Sequence, residues 1–214
     1  MRIIAQIISW LFVPLLTPVF GMMLAMFVPS GEDAYYQTHN LFNLYEEQKW
    51  SILYSYFFFC TIVPTIAMLY MKNRGIISTL EVDERKERSI PILVMFMSCL
   101  GLYIMFQFLP ANVNISKHIF SYPLAGVVTT AVLFVMTLWK KVSLHAGGVG
   151  IMTGFILAYA GIQGHFEFWI IPACILVSGL VMSARLYLHK HTLSEVTIGW
   201  FTGAIITFVV SYFL

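Results

Sequence analysis

The sequence predicts an all-α, polytopic transmembrane helical bundle of about six to seven spans, and three observations carry that expectation. Apolar and aromatic residues fill 59% of the 214 positions and charged residues only 10%, against roughly 25% charged in a typical soluble domain. Long apolar runs recur along the chain, each close to the roughly 20 residues that a helix needs to cross hydrocarbon. The ionisable residues between those runs are gathered into a few loops.

Seven segments can be drawn in order: residues 4–29, 50–71, 90–110, 119–138, 146–162, 166–184 and 196–214. The first is too long for a signal-peptide h-region and lacks a small-residue cleavage site after it, so it is expected to stay as the first span. The fifth and sixth are separated only by Gln163, Gly164 and His165, which predicts a tight hairpin. In lipid each segment must satisfy its own backbone N–H and C=O groups. Helices do so; the strands of a closed barrel would alternate apolar and polar residues over short stretches, and these runs do not. No linker is long enough for a second domain, so residues 1–214 read as a single transmembrane domain.

Several function classes lose support at this point. The net charge is only +2, which gives a nucleic-acid partner no basic face to neutralise phosphates. Cys60, Cys99 and Cys174 lie inside apolar runs without paired spacing, so neither a disulfide framework nor a zinc site is indicated and they read as packing residues. Asn114, Ile115 and Ser116 match a glycosylation acceptor, a pattern too short to be assigned a role. No metal or cofactor is called for.

Most of the chemistry lies in three loops: Lys72 to Ser89, Lys140 to His145, and Arg185 to Glu195. Two apolar segments separate each loop from the next, and an even number of crossings returns the chain to the same face. All three loops are therefore expected on one side. Orientation follows from lysine and arginine. Arg2 and the three loops hold ten of these residues, whereas the opposite face holds Lys49 and Lys117. The motif face is accordingly expected to be cytoplasmic. Glu32, Asp33, Glu46 and Glu47, between the first two segments on the opposite face, have little topological weight.

The third loop carries the most specific pattern. Arg185 precedes His191 by six positions and Glu195 follows it by four. If the last helix begins near Thr192, Glu195 lies about one turn beyond His191 on the same side, where a carboxylate can hold an imidazole N–H. The other ring nitrogen is then presented as a nucleophile, and Arg185 offers planar donors suited to phosphate oxygens. An interfacial loop whose basic residues snorkel to headgroups would share this composition. In the second loop, His145 stands at the mouth of a glycine-rich helix and can protonate a leaving oxygen. Ser143 and the first-turn N–H groups can receive phosphate oxygens; a boundary histidine beside two topology-setting lysines is the plainer reading of that segment. The first loop runs Asp83, Glu84, Arg85, Lys86, Glu87, Arg88, then Ser89, Ile90 and Pro91. Its alternating charges fit a salt-bridged helix end, and Arg85, Lys86 or Arg88 can also supply positive charge for a phosphate dianion. Gly150 with Gly154, and Gly199 with Gly203, give both motif-bearing helices faces that permit close approach.

These residues resemble the type 2 phosphatidic acid phosphatase superfamily, whose third motif runs Ser-Arg, five residues, His, three residues, Asp. Arg185, His191 and Glu195 stand at those spacings, with Ser183 one place early and Glu in place of Asp. Of the second motif, Pro-Ser-Gly-His, the stretch Val142 to His145 keeps the Ser and the His. The first motif, Lys, six residues, Arg-Pro, is not reproduced; Arg85, Lys86 and Arg88 ahead of Pro91 form a basic stretch in a comparable place. The resemblance covers a phosphatase-like core of about residues 83–203. It implies that His191 attacks phosphorus to form a phosphohistidine, that Glu195 orients it, and that His145 protonates the departing alkoxide. Arg185, Ser143 and the basic stretch of Arg85, Lys86 and Arg88 would hold the phosphoryl oxygens, with no metal required. The implied function is a lipid phosphate or diphosphate phosphatase whose partners are the bilayer and a membrane lipid phosphate. The alternative is a catalytically inactive phosphatase-fold protein that binds or transports a lipid. Soluble haloperoxidases with a similar site bind vanadate, and the apolar spans argue against that reading. The family's site usually faces away from the cytoplasm, whereas the charge count here places it inside.

Overall fold

The apolar runs fold as helices, as segments with no water for their backbone groups must. The computed structural model describes residues 1–31, 40–82, 84–109 and 116–214. Glu32, Asp33, Asp83, Asn114 and Ile115, all named above, lie outside the described residues. In chain order the helices are α1 (Arg2–Leu11), α2 (Thr17–Phe27), α3 (Glu46–Phe57), α4 (Val63–Asn73), α5 (Ser89–Gln107), α6 (His118–Trp139), α7 (Leu144–Ala160), α8 (Ile170–Tyr187) and α9 (Leu193–Phe213). Among the described residues five stretches are long and apolar enough to cross a membrane: Glu46–Asn73, Arg85–Gln107, α6, α8 and α9. The chain is an integral membrane protein on that basis. α1, α2 and α7 are shorter apolar helices.

The single first span expected over residues 4–29 is instead two helices meeting at an elbow. Pro14 has no N–H to donate and disfavours helical geometry in the residue before it, while Pro18 sits comfortably in the first turn of α2. The elbow leaves carbonyls that no helix satisfies. Thr17 Oγ1 donates to the Pro14 carbonyl at 3.0 Å and Thr61 Oγ1 to that of Leu15 at 2.8 Å. Thr61 lies in a π-turn, Phe58–Ile62, that joins α3 to α4 in one 28-residue rod. In α6, Pro123 cannot bond the Ile119 carbonyl, which instead accepts from Tyr56 Oη at 3.5 Å.

The centre of the bundle is α7, whose faces meet α2, α6, α8 and α9. It is buried along nearly its whole length, and the glycines explain how closely α9 approaches. A Cβ added at Gly154 would overlap the Ala204 carbonyl, and one at Gly203 would overlap the Gly147 carbonyl. Contact between backbones, rather than interlocking of large side chains, therefore fixes the register of these two helices. On the side away from the motif loops, Ser30 and Gly31 pair antiparallel with Phe166 and His165. There Asn40 Oδ1 accepts from Ser30 Oγ at 2.8 Å, Tyr159 Oη at 2.9 Å and the Phe42 amide at 2.7 Å. This buried knot fastens the chain after α2 to the C-terminal end of α7.

Candidate active site

Each of the three motif loops is bonded to another. Arg88 donates to the Val142 carbonyl at 2.6 Å, Lys141 Nζ to the Lys190 carbonyl at 3.0 Å, and the Ser143 amide to the Glu195 carbonyl at 3.2 Å. Arg185 Nη1 lies 3.3 Å from Glu81 Oε2. Loops distant in sequence thus share one end of the bundle.

The way α8 ends sets the position of His191. The Leu188 amide bonds the Ala184 carbonyl, and the Lys190 amide reaches back to the Arg185 carbonyl at 3.1 Å. His189 takes the left-handed conformation (φ 53°) that glycine usually provides at a helix C-terminus. The chain reverses there and starts α9 with Thr192 as N-cap. Glu195, at the third position of α9, closes a capping box onto the Thr192 amide at 3.4 Å. The same oxygen, Oε2, lies 2.7 Å from His191 Nδ1. The N-cap and first turn of α9 therefore bring carboxylate and imidazole together at the i, i+4 spacing.

His145 stands in the first turn of α7, with its ring directed to the backbone carbonyl of Ser9 in α1. The groups that act on it through space are Arg185, His191 and Arg88. A phosphoryl dianion placed among them would offset the repulsion between an imidazolium and two guanidiniums. Both arginines are almost fully buried, Arg185 at 1% exposure and Arg88 at 2%. Arg88 is anchored by Nε on the Val82 carbonyl at 2.9 Å as well as by its bond to Val142. The Nε of Arg185 is buried and has no protein partner among the described residues.

Arg88, His145, Arg185 and His191 line one cavity of about 190 Å³. Its other walls come from the elbow between α1 and α2 (Val13 to Leu16), from Met68 and Leu69 of α4, and from Pro91 and Met95 of α5. A smaller cavity of about 60 Å³ shares Pro14, Leu15, Met95 and Leu144 with it and extends to Cys60 and Tyr122. The site thus joins a cationic, imidazole-bearing end to a mainly apolar trough.

Other residues of the sequence-derived site lie elsewhere. Arg85 is exposed and bonds the Leu138 carbonyl at 2.7 Å, and Lys86 is exposed; neither lines the cavity. The short 3₁₀ turn Arg85–Glu87 turns only Arg88 of the basic stretch inward. Ser143 is buried as the N-cap of α7, where Oγ accepts from the Ala146 amide at 3.3 Å, so its hydroxyl serves the helix and does not line the cavity. Glu81 and Lys190 were not singled out by the sequence: Glu81 Oε2 lies 3.5 Å from Lys190 Nζ as well as beside Arg185. Among the described residues no group of three His, Cys, Asp or Glu side chains is placed to hold a metal ion. No family model, characterised protein or solved structure matches the chain.

Proposed function

We propose that the protein is a membrane-embedded lipid phosphate or diphosphate phosphatase that works through a phosphohistidine. One observation carries this reading: a carboxylate-held histidine, a second histidine and two buried arginines face one cavity whose other walls are mainly apolar, with the carboxylate of Glu81 among them. Such a cavity suits an amphiphile with an anionic head and a hydrocarbon chain. Glu195 holds Nδ1 of His191, so Nε2 is the attacking atom. It forms a bond to phosphorus as the bond from phosphorus to the alkoxide oxygen breaks, and His145 gives its proton to that oxygen. Water then attacks phosphorus as the bond from phosphorus to Nε2 breaks and passes a proton to His145, which releases phosphate and restores both imidazoles. Arg185 and Arg88 offset the charge on the phosphoryl oxygens throughout.

We place α7 as a further crossing in addition to the five longer ones. At about 1.5 Å per residue its 17 residues extend close to the roughly 30 Å of hydrocarbon. The bent α1–α2 pair supplies the first crossing. The motif face is read as cytoplasmic, and the arrangement of lysines supports this. Lys49 is paired with Glu46 at 3.1 Å and packed over Phe27 and Phe42, and Lys117 bonds the Tyr212 carbonyl at 3.2 Å. Both basic residues of the opposite face are thus engaged within the protein, while Lys72, Arg74 and Lys140 on the motif face are exposed.

A second reading, a lipid binder or transporter without turnover, draws on the carboxylate of Glu81 that already occupies Arg185. Phosphate release from mixed lipid phosphates by the purified protein and by His191→Ala separates the two. Release that disappears in the variant supports the phosphatase; binding of the lipids with no release by either protein supports the binder.

A further inference from the structure

A single carboxylate oxygen sits where a substrate's phosphoryl oxygen would be expected. Glu81 Oε2 lies 3.3 Å from Arg185 Nη1 and 3.5 Å from Lys190 Nζ, and Glu81 lines the same cavity as His145 and His191. Arg185 is almost fully buried whereas the Glu81 side chain is 35% exposed, so the cation is fixed and the anion has water to move into. Both contacts belong to segments of unusual backbone. Val82, directly after Glu81, has φ 50°, and His189, directly before Lys190, has φ 53°. A β-branched residue is rarely found in that region, so the turn presenting Glu81 is held against its local preference. The Val82 amide bonds the Thr79 carbonyl at 3.1 Å, and the Val82 carbonyl accepts from Arg88 Nε at 2.9 Å. The guanidinium that faces the cavity therefore also pins the turn carrying the carboxylate.

Building on the phosphatase reading, we infer that Glu81 is a specificity residue: a displaceable internal anion that admits phosphate monoesters to the Arg185–Lys190 subsite and rejects phosphodiesters. The argument is one of charge exchange. A diester headgroup has one negative charge, so exchanging it for a carboxylate adds no attraction to Arg185 and Lys190 and still requires the turn to rearrange. A monoester dianion adds a full further charge at hydrogen-bond distance from the same two cations. In a bilayer built mainly of diesters, a built-in competitor of this strength discriminates by making the wrong ligand unprofitable.

The test compares the full-length protein with Glu81→Gln, which keeps the shape and removes the charge, and Glu81→Asp, which keeps the charge. Inorganic phosphate is the binding probe, measured in detergent without turnover. Dodecyl phosphate is the monoester substrate and phosphatidylglycerol the diester competitor in mixed micelles. The expected result is that Glu81→Gln binds phosphate about tenfold more tightly, corresponding to about 1.4 kcal/mol, and that phosphatidylglycerol then inhibits dodecyl phosphate turnover at concentrations that leave the unsubstituted protein unaffected. Glu81→Asp should stay near the unsubstituted protein in both assays. Unchanged phosphate affinity in Glu81→Gln, or equal inhibition of both proteins by the diester, overturns the inference. The two readings fail separately. Tighter phosphate binding in Glu81→Gln by a chain that hydrolyses no monoester would keep the role of Glu81 and remove the phosphatase.

Discussion

Glu195 and His191 are joined through an oxygen that has a second task, since Oε2 lies 2.7 Å from His191 Nδ1 and 3.4 Å from the Thr192 amide nitrogen. The first turn of α9 and the orientation of the imidazole therefore depend on one side chain. Glu195→Gln keeps an acceptor for the helix and removes the charge that steadies the ring. Its turnover is expected to fall about a hundredfold or more, the scale of a positioned acid–base partner, with little change in melting temperature. Glu195→Ala should lose the cap as well, about 1 kcal/mol. Phosphate-release rates and thermal melts of the two variants check this, and full turnover in Glu195→Gln would remove the orienting role.

Arg88 spans two backbone carbonyls, those of Val82 and Val142. A lysine has no planar fork to hold both. Arg88→Lys is expected to lose about 2 kcal/mol, the worth of a hydrogen bond from a charged group, and to weaken substrate binding. Denaturation in micelles and KM measure the two effects.

Arg85 and Lys86 lie three and two residues from Arg88 and are exposed. Arg85→Ala and Lys86→Ala should each change stability by no more than about 0.5 kcal/mol and leave kcat/KM unchanged. A large loss in either would place the basic stretch in the site after all.

The close approach of α7 and α9 gives a paired test. Gly154→Ala puts a methyl group into the Ala204 carbonyl and is expected to cost about 1–3 kcal/mol, as overpacking does. Gly179 in α8 has nothing within 4 Å of the added Cβ, so Gly179→Ala should be neutral or stabilising by up to about 1 kcal/mol. Melting temperatures of the two proteins side by side decide it.

At the far end of the bundle, Asn40→Ala removes the acceptor shared by Ser30, Tyr159 and the Phe42 amide. Leaving those buried groups without it is expected to cost about 2 kcal/mol or more, while KM at the motif face stays the same. A thermal melt read together with substrate kinetics checks both halves.

The relation of His191 to Glu195 was legible in the chain because it is local: one helix start and its capping box fix it without reference to the rest of the fold. The helical class was legible because lipid leaves the backbone few alternatives. The elbow at Pro14 shows where reading by hydropathy stops. Residues 4–29 are predominantly apolar, and the break depends on one missing N–H and on the hydroxyl of Thr61. Which arginine of the basic stretch faces inward is settled by a single 3₁₀ turn, below the resolution of a charge pattern. Ser143 offered a hydroxyl that suited phosphate equally well on paper, yet the start of α7 claims it. Glu81 left no trace at all. It sits outside any periodic run, and its partner Arg185 is 104 residues away.

The elbow also bears on how a ligand arrives. Because the chain bends at Pro14 rather than running straight through, the trough is rimmed by Trp10 and Leu69, both well exposed on the outside of the bundle. On the proposed reading, an amphiphile entering between them would keep its tail in oil from start to finish. It avoids the penalty of about 0.8 kcal/mol that each methylene incurs on being drawn into water, so the length of the tail should scarcely slow its entry.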